Sequence, residues 1–174
     1  MWEVDESITT RSEVIQSRRE TWSSAGVRVI GVWEASQPRP CVWSHAPIEV
    51  GFPLHLGLSW SIDTSCRVSH GTAGVETTHA QGSFRTTQRT TLTIGGLSAA
   101  AWLIVGDEVT TSDGAVNGHR YHTVDRTTTR VWFVPSIGLP GRTELTGTVA
   151  ITSEKGTVRH PISQRTQLES LAPQ

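Results

Sequence analysis

The longest regular pattern in the chain is Val50, Phe52, Leu54, Leu56, Leu58, Trp60, Ile62, an apolar residue at every second position against Glu49, Gly51, Pro53, His55, Gly57, Ser59 and Ser61. Side chains two apart lie on one face of an extended backbone, so this period predicts a strand with one buried face. Pro53 has no N–H to give to a ladder and Gly57 weakens a strand interior. The run is therefore expected to bend or bulge, with the proline at an edge or at the strand's start.

Further strands are predicted from Val27 to Trp33, Thr90 to Ile94, Trp102 to Val105, Thr128 to Val134 and Leu145 to Ile151, where β-branched and aromatic residues dominate. Between them stand Asp113-Gly114, Asn117-Gly118, Pro140-Gly141 and Glu154-Lys155-Gly156, turn chemistry that tolerates positive φ and points to hairpins. One short helix is expected from about Ser12 to Trp22: Thr10 followed by Glu13 has the form of a capping box, and Val14, Ile15 and Trp22 would face a core. Ser98 to Val105 reads as a short helical turn entering a strand, because Ala99-Ala100-Ala101 favours helix and Trp102-Leu103-Ile104-Val105 a buried strand. Segments at about 1–10 and 164–174 are polar with few apolar anchors, and are expected to be terminal arms. No repeat or linker divides the chain. The expectation is a single domain over 1–174, all-β, built as an antiparallel β-sandwich or β-barrel with one short N-terminal helix and extended terminal arms.

Composition narrows the partners more than the fold. A chain of 174 residues can bury a continuous core without a metal or disulfide staple. Its formal charge of -1 gives no whole-molecule field that would draw it to nucleic acid or an anionic membrane, so neither is an expected partner. No stretch reaches the roughly 20 apolar residues that a membrane-spanning helix needs. The opening Met1-Trp2-Glu3-Val4-Asp5-Glu6 is acidic where a secretory signal would be basic, with no apolar segment after it. The expected location is thus the cytoplasm of the producing cell, or a virion. Cys41 and Cys66 are too few and too widely spaced for a disulfide framework or a zinc site. They read most simply as buried free thiols, with a bond between them left open. The 24 threonines suit exposed strand faces, but without the fixed period that an ice-binding solenoid requires.

Chemistry is sought first among the histidines. His119 and His122 fall on opposite faces of a strand, whereas a metal barrel would use a His-x-His pair. His70-Gly71-Thr72 has the form of one half of a two-histidine phosphoesterase site, but His45, His119 and His160 all lack the matching hydroxyl. There is no nucleophile elbow and no phosphate-cradling glycine loop, and Asp107-Glu108 reads as a solvated turn. No catalytic residue, cofactor or metal ligand is assigned, and the reading leans away from an enzyme.

Surface recognition is left. Trp33, Trp60, Trp102 and Trp132 lie inside apolar strand patterns and are expected in the core, whereas Trp2, Trp22 and Trp43 stand in polar surroundings as candidate interface anchors. Arg85, Arg89, Arg126 and Arg130, with Arg120, alternate with threonines and would line one sheet face. Lys155 is the only lysine, and the planar guanidinium suits interfaces better than an ammonium. The expected function is a structural subunit of a particle, virion or phage-tail-like, contacting copies of itself or other particle neighbours through arms and edge strands. The alternative is a ligand- or carbohydrate-binding β module with its site near Trp43, Trp60 or His119, and a third is a histidine- or metal-dependent barrel enzyme.

Overall fold

The computed structural model describes residues 2–10, 13–34, 41–69, 74–116 and 118–170. They form strands β1 (Trp2–Thr10), β2 (Glu13–Ser23), β3 (Gly26–Glu34), β4 (Cys41–Val42), β5 (Ile48–Gly51), β6 (Ser59–Ser69), β7 (Val75–Ile94), β8 (Leu97–Val116), β9 (His119–Val134), β10 (Leu139–Ser153) and β11 (Gly156–Gln167). The first five make one sheet, in the order β1-β2-β3-β4 with β5 also on β3; the rest make a six-stranded meander, β11-β10-β9-β8-β7-β6. All pairings are antiparallel. The all-β expectation therefore holds at the level of two antiparallel sheets.

The short N-terminal helix is not there: Glu13–Ser23 is strand β2, paired on one side with β1 and on the other with β3, and Ser12 lies outside the described residues. A capping box offers one or two local hydrogen bonds, whereas two flanking strands pair most of the backbone of a segment whose Val14, Ile15 and Thr21 are β-branched. The register sets Asp5 opposite Arg19 and Glu6 opposite Arg18.

The helical turn expected at Ser98 is also strand. Ala99 and Ala101 are buried while Ala100 is exposed, a period of two on β8 rather than the period of a helix. Asp113-Gly114 is not a turn but part of β8, because Gly114 serves another purpose: a side chain there would collide with the ring of Tyr121, its cross-strand partner. Gly106 does the same for Phe84. In each pair a bare backbone lets an aromatic ring lie flat on the neighbouring strand. Gly118 (φ 83) and Gly156 (φ 112), by contrast, sit in the tight hairpin turns that the sequence assigns to them.

The alternating run over Val50–Ile62 breaks rather than bends. β5 ends at Gly51, β6 starts at Ser59, and the seven residues between form a loop in which Gly57 takes φ 82. Pro53 cannot donate to a ladder, and once the loop has formed, alternation loses its structural meaning: Leu56 is 67% exposed while Phe52 and Leu54 pack on the core.

Two apolar clusters hold the fold. Between the sheets, Val27 and Val50 of the smaller sheet meet Ile104 and Phe133 of the larger, with Trp22, Trp60 and Phe84 packed around them. On the opposite face of the larger sheet, Leu92, Ile94, Ala99, Ala101 and Val134 form a second cluster closed by Ile137 and Leu168. Of the expected arms, the N-terminal one is strand β1, and the C-terminal one finishes β11 before Leu168 N–H donates to Gly141 O at 3.0 Å; residues 171–174 lie outside those described.

The two cysteines are not free thiols. Cys41 of β4 and Cys66 of β6 form a disulfide that ties one sheet to the other, with α carbons 5.5 Å apart. Sequence spacing could not show this, because the approach depends on how the sheets stack.

Candidate functional site

Two places in this architecture offer chemistry: the outer face and edge of the six-stranded sheet, and a cavity between the sheets. Residues directly opposite one another in an antiparallel ladder share a face. The ladder therefore puts Arg85, Val105, Arg130, Glu144 and Arg165 in one row across the strands, and Asp113 with His122 in another. Away from the apolar cluster at one end, this face carries Asp63, Gln81, Asp107, Arg126 and Thr128 between those rows, with Val109 and Val124 among them. Arg85, Arg120, Arg126 and Arg130 thus share a face. Arg89 does not, because the irregularity between Thr86 and Gln88 shifts the alternation by one; its guanidinium lies over Trp102, 5.9 Å from the ring centre.

Two carboxylates on this face, Asp63 and Glu144, are held as anions by hydrogen-bond donors. Hydrogen bonds from His79 (2.8 Å) and Gln81 (3.0 Å) keep Asp63 below the usual carboxylate range. Glu144 is lowered in the same way by its hydrogen bond from Arg142, whose guanidinium also stacks on Trp132 at 4.6 Å. His122 and Asp113 make a further exposed pair at 2.8 Å. Asp63 with His79 and Gln81, and Asp113 with His122, meet across strands, whereas Arg142 and Glu144 meet along β10. Among the described residues no three histidine, cysteine, aspartate or glutamate side chains converge where a metal ion could sit. His119 points to the opposite face from His122, and His70-Gly71-Thr72 lies outside the described residues.

β11 is the edge of this sheet. Nearly every residue along its 12 positions is exposed on both faces, and the apolar Val158 is 55% exposed beside Ile151 at 39%. The tryptophans expected as interface anchors divide. Trp22 is half-buried, donates from Nε1 to Glu20 at 3.0 Å and packs on the intersheet core. Trp2 is placed on β1 opposite Trp22, its side chain lying outside those described.

No family model matches the chain, and no curated protein or solved structure does.

Trp43 leads to the second place. It lines a cavity of about 280 Å³ between the sheets, together with Ile48 on its own side and Phe84, Ile104, Glu108 and Val131 on the other. Glu108 is half-buried and receives one hydrogen bond, from Thr110 at 2.9 Å; desolvation pushes its carboxyl above the usual range. Asp125, further along the same face, is raised by burial too, and its Oδ1 has no hydrogen-bond partner. Sequence reasoning missed Glu108 because it takes Gly106-Asp107-Glu108 for a turn. The available signal was alternation: at a strand interior Asp107 and Glu108 must face opposite ways, one to solvent and one inward.

Proposed function

We propose that the chain is a structural subunit of a particle, virion or phage-tail-like, that acts through contacts with copies of itself or with particle neighbours. The observation that carries this reading is β11: a 12-residue edge strand, exposed on both faces, at the end of a six-stranded sheet. Such an edge offers unpaired N–H and C=O groups to another chain, and a monomer normally blunts or covers it. Val158 and Ile151 add exposed apolar area beside it, and the Arg- and Thr-rich face supplies a polar surface of fixed charge. The Cys41–Cys66 bond supports a working place outside the reducing cytosol, which suits a released particle better than a cytoplasmic protein. No helix among the described residues is long and apolar enough to cross a membrane.

The test is the state of the protein in solution and in its native source, by size-exclusion with light scattering and negative-stain microscopy. Concentration-dependent oligomers or ordered particles are expected. The double variant Val158→Lys with Ile162→Lys should shift them toward monomer while leaving the circular dichroism spectrum unchanged. A wild-type chain that stays monomeric at every concentration and in its source overturns the proposal.

A ligand-binding β module is the second reading, and the cavity at Trp43 is the observation that favours it.

A further inference from the structure

We propose that the cavity between the sheets is a binding site for a small organic ammonium ion, with Glu108 as its counter-ion and Trp43 and Phe84 as its aromatic walls. The site does not depend on assembly and would be present in a monomer or a particle alike.

Volume comes first. At about 30 Å³ for each water in the liquid, the cavity of about 280 Å³ holds the equivalent of a short apolar body with one polar end. Its walls fit that description. Ile48, Ile104 and Val131 are aliphatic, and Trp43 and Phe84 present rings. Phe84 is held in place from behind, stacked on Trp60 with centroids 5.8 Å apart and lying across the bare backbone of Gly106.

Charge comes second. A carboxylate taken out of water is costly unless a cation or several donors meet it. Glu108 has the single bond from Thr110, and no lysine or arginine pairs with it among the described residues. Its position is fixed by the ladder, which places Gly82 directly opposite on β7. A Cβ on Gly82 would crowd the backbone of Asp107 and Glu108, so that strand position stays bare beside the carboxylate. The other carboxylate in the wall, Glu49, already interacts within the chain. Glu108 is the group whose charge the fold leaves unmet, and burial accordingly raises its carboxyl. An ammonium ion entering the cavity would supply the missing positive charge, and the ring faces would favour it further. A neutral ligand of the same shape would fill the space and leave the carboxylate as it is. An anion would be repelled.

The test compares three probes of one shape, benzylammonium, benzyl alcohol and benzoate, by tryptophan fluorescence and calorimetric titration of the full chain at neutral pH. Benzylammonium is expected to bind, benzyl alcohol about tenfold more weakly or worse, and benzoate not at all. Glu108→Gln keeps the shape and removes the charge. It should weaken benzylammonium about tenfold while leaving benzyl alcohol within about twofold. Thr129→Met, which fills the cavity from its wall, should abolish both. Equal affinity for the ammonium and the alcohol, no binding of either at millimolar concentration, or an unchanged benzylammonium affinity in Glu108→Gln would overturn the assignment. None of these outcomes bears on oligomeric state, so this proposal and the assembly reading stand or fall separately.

Discussion

Cys41 on β4 and Cys66 on β6 are bonded across the two sheets, their α carbons 5.5 Å apart and their sequence separation 25. A cross-link of that span removes loop-closure freedom from the unfolded chain, which on the chain-entropy account stabilises the fold by about 3 kcal/mol. Reduction, or the pair Cys41→Ser and Cys66→Ser, should lower the urea midpoint by the corresponding amount. Each sheet keeps its own hydrogen-bonded ladder, so a folded, less stable protein is expected rather than a collapsed one. Equal midpoints for the oxidised and reduced chains would show that the link contributes nothing.

Tyr121 Oη donates to Glu76 Oε2 at 2.7 Å, with its ring laid across Gly114. Burial, the hydrogen bond and the nearby carboxylate all favour the neutral phenol, and together they push its pKa up to about 12. Because the folded value lies above the unfolded one, the stability it contributes is complete below about pH 10 and disappears as pH rises through the folded value. Tyr121 is the only tyrosine in the chain, so its titration can be followed without assignment. Phenolate absorbance should appear with a midpoint near 12 in the native protein and near 10 in denaturant. Tyr121→Phe should cost about 1 kcal/mol at neutral pH and flatten the alkaline loss of stability. A native midpoint at the denatured value would rule out the bond to Glu76.

How much of this could be read from the chain depends on the range of the forces involved. Strand content was legible because alternation is local, as in β3, β9 and β10, and so were the turns at Gly118 and Gly156. β2 was not, because its partners β1 and β3 decide its conformation and a capping box is visible where a sheet is not. Asp113-Gly114 and Gly106-Asp107-Glu108 misled for one reason: a glycine inside a strand, kept bare for an aromatic ring on the next strand, has the same letters as a glycine at a turn. The shared face of Arg85, Arg126 and Arg130 follows from counting by twos once the register is known; Arg89 escapes the count through one irregularity in β7. The cavity at Trp43 and Glu108 was out of reach, since it belongs to the stacking of two sheets whose residues are far apart in sequence.

Acid titration should expose carboxylates of opposite sign. Asp63 and Glu144 are lowered by their hydrogen-bond donors, so their contribution is present above the ordinary carboxyl pKa and is lost as pH falls through the lowered values. Asp125 is raised by burial, with Oδ1 unpartnered, so it costs stability at neutral pH and that cost vanishes as the group protonates. Asp125→Asn should therefore raise the neutral-pH unfolding midpoint, by no more than about 1 kcal/mol since solvent screens a half-exposed side chain. The gain should shrink on acidification and be gone once both forms of the wild-type group are protonated. Glu144→Gln should do the reverse, lowering the midpoint at neutral pH and matching the wild type in acid. Parallel urea titrations of the three proteins across the acid range would check both slopes. An Asp125→Asn curve that runs parallel to the wild type at every pH would mean that the Asp125 carboxyl carries no burial cost.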